Sequence, residues 1–455
     1  MDKSIIVCYL KYLLSILFIY FFFSYGIQND SLYDQELDYP TYKLSDTDLI
    51  ISRKKYIDQL QGFWLGQSIA NWTGLITEMD KVKPPFYTDE HWGGPDQKNI
   101  WGYFLSSQDT IIDFYLLEKG KAWPSDDDTD IEYMYQHLLD KNNVSILSPK
   151  QIREGWLNHI FSNETAPKGE NYLWVSNETA YYLMLNGLTP PETSEPIHNP
   201  NYSMIDAQLT TEIFGLLSPA RDDIALKMAH LPIRTTAKNN AEWVSKFYVS
   251  MHSLASRANH ALPIKDQLNW ISKEARKVLP NNSYSAKMYD FIKKSYLNNP
   301  DKTNWEKTRD QIFQRYQLNS NDGYKYKNPF DSGINFAASL ISLFYGEGDF
   351  KRTIQIGTLA GWDSDNPTAT WGGLLGFILG KKEIENIFNN KNLSNTYWIH
   401  RTRKNFPDRT INENGEDTFE LMAKRAILII DRTVIEEMKG GVNLKENKWY
   451  IPIKK

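Results

Sequence analysis

From Tyr56 onward, the apolar residues of this chain fall at steps of three and four almost without a break. Val244, Phe247, Met251, Leu254 and Ala258 form one such stripe, and Phe419, Met422, Ala426, Ile430 and Val434 form another. Side chains at that spacing share one face of a helix, which must be buried against a neighbour. Strictly alternating runs of the kind that mark half-buried strands are rare. Pro-containing pieces such as Leu188 to Glu192 and His198 to Pro200 separate the helical stretches as loops. No repeat of fixed period accompanies the pattern, which argues against a solenoid of stacked helical pairs. The expectation is an all-α fold, a single compact multi-helix domain over residues 46–455.

The N-terminus reads differently. Lys3 precedes an apolar run from Ile5 to Phe23, and polar Gln28, Asn29 and Asp30 follow. Residues 1–26 have the form of an export signal, and the polar, aperiodic stretch 27–45 reads as a linker. The run ends in Phe, Ser and Tyr and not in a small-residue cleavage site, which leaves an uncleaved N-terminal anchor as the second reading. Cys8, the only cysteine, sits inside the run, too early to become a lipid-bearing terminus. Without the signal the chain has no disulfide, no thiolate metal site and no cysteine nucleophile. The expected location is outside the cytoplasm, periplasmic or extracellular.

The formal charge is −5. Losing Asp2, Lys3 and Lys11 with the signal lowers it by one more unit. With no basic block anywhere, nucleic acid is a poor candidate partner, and membrane contact is expected only through the N-terminal segment, should it stay uncleaved.

Two acidic clusters stand out. Ser125-Asp126-Asp127-Asp128-Thr129 is followed by Ile131, Met134 and Leu138, so these acids sit at the first turn of a helix. Free N–H groups and the helix dipole favour negative charge there. Capping alone would account for such residues. The second cluster, Gly361-Trp362-Asp363-Ser364-Asp365-Asn366-Pro367, also leads into an apolar helix, expected from Thr368 to Gly380 with Pro367 suited to its first position. Gly372, Gly376 and Gly380 recur in it at steps of four, a groove that lets another backbone approach closely. Gly62, Gly66 and Ala70 repeat that spacing near the N-terminus and lead through Asn71 to Glu78. If Asp126, Asp127, Asp128, Asp363 and Asp365 gather, their repulsion calls for a divalent cation, and oxygen-only ligands select magnesium, calcium or manganese over zinc.

In this order, the three pieces resemble the ADP-ribosylglycohydrolase family. Its pattern has an early G-D-x-x-G-x-x-x-E segment, a T-D-D-T metal motif and a late G-x-D-x-D-T metal motif at a helix start. The resemblance spans most of the chain after residue 55. It implies that Asp126, Asp127 and Asp128 ligate metal where the family has Thr-Asp-Asp, and that Asp363, Asp365 and Asn366 stand for its Asp, Asp and Thr. The implied cofactor is Mg2+, as two ions. An oxygen ligand survives at both altered positions, Asp126 and Asn366. In the early segment, Ala70 and Asn71 replace the family's Gly and Asp, while Glu78 fits the glutamate that stands over the reacting ribose carbon. The family's Gly-Asn-Gly-Ser loop is not evident, and Met204 to Glu212 occupies the equivalent stretch.

The implied chemistry is attack by water on the glycosidic carbon of a ribose-like sugar, with two metal ions roughly 3.5 to 4 Å apart. Glu78 and Asp127 are the candidate catalytic residues for water activation. Trp123 and Trp362 are candidate stacking surfaces for substrate, and Gln208 is a candidate contact from the altered stretch. The expected partner is a small-molecule, ADP-ribosylated or glycosylated substrate. Two alternatives stand beside this reading: hydrolysis of another extracellular glycoside or nucleoside by the same metal centre, and ligand binding without turnover.

Overall fold

The computed structural model describes residues 32–105, 110–412 and 414–453. The export signal read over residues 1–26 lies outside them. Among the described residues no helix is long and apolar enough to cross a membrane.

Among the described residues, fifteen α-helices make up the body. The first half of the chain supplies α1 (Arg53–Gly74), α2 (Asp127–Asn142), α3 (Pro149–His159), α4 (Val175–Leu185), α5 (Ile213–Leu216), α6 (Asp222–Ile233) and α7 (Asn240–Ala255). The second supplies α8 (Ile264–Ala275), α9 (Tyr284–Asn298), α10 (Glu306–Ile312), α11 (Ser332–Tyr345), α12 (Phe350–Ala360), α13 (Asp365–Leu379), α14 (Lys381–Ile387) and α15 (Phe419–Glu436). The fold is all-α, as the apolar spacing requires. Val244, Phe247, Met251 and Leu254 are buried along α7, with Ala258 buried just past its end. The second stripe is buried along α15.

Two three-stranded sheets decorate this bundle. In one, β1 (Asp48–Ser52) pairs antiparallel with β6 (Lys448–Pro452), which pairs with β5 (Gly441–Asn443) and so ties the C-terminal strands to the start of the body. In the other, β2 (Ala122–Pro124) runs parallel to β3 (Thr396–Trp398), which pairs antiparallel with β4 (Glu416–Thr418). The second sheet holds the segment immediately before Asp126. Residues 32–45 carry no helix or strand and lie against the body, where Tyr39 bonds Asp431 and Asp34 bonds Arg432.

At the centre, α1 packs on α13 through the two small-residue grooves noted above. A Cβ placed on Gly66 would lie 2.3 Å from the carbonyl oxygen of Gly372, and one on Gly376 would lie 2.2 Å from that of Gly62. Neither position has room for a methyl group, so the two backbones touch. This crossing fixes where each helix ends and thereby positions the segments that carry the acids. α13 begins three residues earlier than the sequence suggests, at Asp365, with Ser364 as its cap. Pro367 is therefore its third residue, a position it tolerates because first-turn N–H groups have no partner within the helix.

Candidate active site

The Glu78 and Asp363 segments are held to one another largely through backbone groups. At the end of α1, the Ser364 hydroxyl donates to the Gly74 carbonyl at 2.8 Å, and Thr77 lies 3.1 Å from the same hydroxyl. Just beyond, Met79 N–H donates to the Trp362 carbonyl and Trp362 N–H to the Lys81 carbonyl, both at 2.9 Å. The Glu78 and Asp363 segments thus run side by side. Trp362 adopts a positive φ of 63° in this crossing, while its ring is buried against Phe86 and its indole N–H donates to Gln317.

Asp126 caps α2, and Asp127 and Asp128 open it. The Asp126 N–H donates to the Thr129 hydroxyl at 3.2 Å, closing the first turn. Asn71, buried near the end of α1, donates from its side-chain amide to Asp126 at 3.0 Å, and Arg401 approaches the other oxygen of that carboxylate at 3.4 Å. The Arg401 guanidinium also donates to the Ser125 carbonyl and stacks between Trp72 and Tyr172. Asn366 on α13 donates to Asp128 at 3.3 Å.

The result is two sets of carboxylate oxygens, each within 4.8 Å of one another: Glu78 with Asp363 and Asp365, and Asp126 with Asp128 and Asp365. Asp365 belongs to both. Five of the six metal-site residues named from the sequence, together with Glu78, line one cleft of about 270 Å³, and the sixth, Asn366, bonds from beneath it.

Burial and mutual repulsion act together on these acids. Burial first, and then the charges of Asp365 and Asp363, push the Glu78 carboxyl well above the usual carboxylate range. Asp128 and Asp363 are raised by burial and by Asp365, and Asp127 by burial and by Asp126. Asp365 is raised to about 6, burial outweighing the hydrogen bonds it accepts from its neighbours. One oxygen each of Asp365 and Asn366 is buried without a hydrogen-bond partner. Buried acceptors lacking a donor are uncommon. Close-set acids whose charged forms are disfavoured, with oxygens to spare, match what a hard divalent cation requires.

The rest of the cleft was not legible as site residues. Asp206, in the Met204 to Glu212 stretch, lines it with one carboxylate oxygen unpartnered and the other accepting from the Asn177 N–H at 2.8 Å. Trp101 forms part of the wall, stacked on Tyr103 and Phe330 at ring-centre distances of 5.8 and 6.2 Å, and Trp174 adds another aromatic surface. Lys168 and Arg401 bring positive charge. Trp123, Trp362 and Gln208 are not among these walls. Trp123 is a core residue whose indole N–H donates to the Ser394 carbonyl. Gln208 is fully buried, and neither end of its side-chain amide has a partner. A wider surface groove between α9 and α10 contains none of the site carboxylates.

The fold and cleft define an all-α protein whose body encloses an acidic, aromatic-walled cleft. The sequence profile of the ADP-ribosylglycohydrolase family matches residues 52–425, and the chain belongs to that family. A solved structure described as an ADP-ribosylglycohydrolase-related protein complex is similar over 84% of this chain and 99% of that chain, with a TM-score of 0.47 and 14% identity. Among curated protein sequences, none matches this one.

Proposed function

We propose that this protein is a magnesium-dependent glycohydrolase that releases the group attached to the anomeric carbon of an ADP-ribosyl or related ribosyl substrate. The observation that carries the reading is the convergence of Glu78, Asp126, Asp127, Asp128, Asp363 and Asp365 on one cleft. Family membership supports glycosidic hydrolysis as the type of reaction.

Asp126, Asp127, Asp128, Asp363, Asp365 and Asn366 would hold the cation, with two ions as the expected number. Bound there, it would neutralise the cluster and polarise hydroxyl groups of the sugar. Glu78, half-buried and open to the cleft, accepts the proton of the attacking water, with Asp127 as the other carboxylate placed for that task. Positive charge develops on the sugar ring as the glycosidic bond breaks, and the surrounding carboxylates stabilise it. On the rim, the Trp101, Tyr103 and Phe330 surface suits a planar group, while Lys168 and Arg401 suit an anionic one such as a diphosphate. That combination favours a nucleotide-bearing riboside over a neutral glycan. The export signal read from the sequence at residues 1–26 supports a periplasmic or extracellular setting for the reaction.

Titration calorimetry of ADP-ribose into the magnesium-loaded chain tests the reading. Binding that is lost in Asp363→Ala supports it. A folded, magnesium-loaded protein that binds no ADP-ribose sinks the nucleotide assignment and directs the search to other ribosides.

A further inference from the structure

One helical turn behind the site lies a second acidic layer. Gln67 precedes Asn71 by four residues on α1, Glu132 follows Asp128 by four on α2, and Thr370 follows Asn366 by four on α13. Glu212 joins them from the end of the segment whose Asp206 and Leu209 line the cleft. Glu132 and Glu212 are 0% and 1% exposed. The Glu132 carboxylate accepts from the N–H of Ile213, the residue that follows Glu212, so the two acids meet in one buried layer.

Their other partners are all neutral. Glu132 accepts from the Gln67 amide and from the Ile213 N–H, both at 2.7 Å. Glu212 accepts from the Thr370 hydroxyl at 2.8 Å and from the Thr211 N–H at 3.3 Å. Among the described residues no lysine or arginine pairs with either. The titratable groups nearby on α7 are Tyr248, whose hydroxyl is engaged with Ser339, and His252, which burial pushes down to about 4 and so keeps uncharged. Asp128 on α2 and Asp206 on the cleft-wall segment are themselves acids and supply neither carboxyl with a counter-charge.

Two carboxylates this deep, without a counter-ion, would not both remain ionised. We propose that Glu132 and Glu212 share one proton and act as a positioning pair, clamping the cleft-wall segment of Asp206 to α1, α2 and α13, of which α2 and α13 present metal-site residues. The shared proton supplies the one donor this layer lacks. Through it α2 is joined to Glu212, and through Thr370 Glu212 is joined to α13. The Gln67 bond extends the tie to α1. This inference rests on the fold and needs no assumption about the substrate.

The burial that favours the shared proton also raises Glu212 to about 7 and lifts Glu132 well above the usual carboxylate range. A carboxyl raised in the folded state stabilises the protein at low pH, and that stability is lost as pH climbs through its folded value. The full chain, with and without Mg2+, is therefore compared with Glu132→Gln and Glu212→Gln. The wild-type thermal midpoint is expected to fall between pH 6 and 8.5 by roughly 2 °C or more beyond that of either variant. At pH 6.5, the infrared difference spectrum of the wild type minus the double variant is expected to contain a buried carboxylic-acid carbonyl band. Glu212→Gln should keep Mg2+ affinity, while Glu212→Leu, which cannot accept from Thr370, should weaken it about tenfold or more. The infrared band and the pH slope are read without metal as well, so they survive a failure of the magnesium assignment. Absence of the band together with unchanged slopes in both variants would overturn the proposal. So would a tightly held sodium or potassium ion, found by elemental analysis of the wild type and missing from the variants.

Discussion

The side-chain amide of Asn71 donates to the carboxylate of Asp126 across 3.0 Å, joining the end of α1 to the cap of α2. These are two of the positions at which the chain departs from its family's pattern. One carboxylate is gained at Asp126 and one is absent at Asn71, so the pair keeps a single negative charge and converts what would be repulsion into a hydrogen bond. Asn71→Asp should place two buried carboxylates in contact and destabilise the metal-free protein by about 1–3 kcal/mol. Asp126→Thr introduced on that background should restore most of the loss. Urea denaturation of the single and double variants measures both effects, and a double variant no better than Asn71→Asp would refute the coupling.

Asp363→Ala should abolish metal-dependent binding and hydrolysis without changing helical content. Its carboxylate is one of the three in the Glu78 group, and its backbone N–H, not its side chain, holds the loop to Asn335. Circular dichroism and magnesium titration of the same sample check the two halves of this statement.

Metal and protons should compete. Glu78, Asp128 and Asp363 are raised well above the usual carboxylate range and Asp365 to about 6, so the metal-free fold gains stability as pH falls and loses it as pH rises through these values. A divalent cation binds only the ionised cluster, so its effect runs the other way. At one hundred times its dissociation constant, Mg2+ should add about 2.7 kcal/mol at pH 7.5 and far less at pH 5.5 when its concentration is held fixed. Thermal midpoints measured with and without Mg2+ at both pH values give the comparison. A magnesium increment independent of pH would exclude these acids as the ligands.

Gly66→Ala should cost about 3 kcal/mol, at the upper end for overpacking, because the new methyl would meet the Gly372 carbonyl, which belongs to another helix backbone and cannot rotate away. Chemical denaturation reads the cost. A neutral substitution would mean that α1 and α13 have room to separate.

Trp101→Ala should leave stability within about 0.5 kcal/mol, since the ring is 46% exposed. If the ring stacks on a planar part of the substrate, the loss is about 0.5–1.5 kcal/mol of binding, roughly a three- to tenfold rise in Kd. Calorimetry with ADP-ribose distinguishes this from no change at all.

The sequence spoke most clearly where local rules decide structure. Apolar spacing marked α7 and α15 because each stripe is buried against the core, and helix-start chemistry located Asp126 to Asp128 and Asp363 to Asp365 because caps and carboxylates are written in neighbouring residues. The glycine steps at 62, 66, 372 and 376 identified both sides of the central crossing, though not that they meet. The cleft walls were harder to see. Trp101 and Trp123 look alike in the sequence, yet one faces the cleft and the other is buried in the core from within β2, a difference set by contacts with residues more than 200 positions away. Arg401 and Asp206 carried no motif, and only the tertiary arrangement brings them to the acids. The Glu132–Glu212 pair was hidden for the same reason: one member sits within an ordinary helical stripe and the other ends a loop.

The backbone contact between α1 and α13 joins stretches of chain some 300 residues apart, and it has a consequence for biosynthesis. Glu78 and Asp126 to Asp128 leave the ribosome early, but they meet Asp363 and Asp365 only after α13 has been made and its glycines have seated against Gly62 and Gly66. A nascent or truncated chain ending before Asp363 presents half of a cation site and no template to complete it. On the proposed assignment, metal capture would be deferred to the closing stage of folding, and fragments of this protein left by proteolysis between α7 and α8 would carry Glu78 and Asp126 to Asp128 without Asp363 and Asp365.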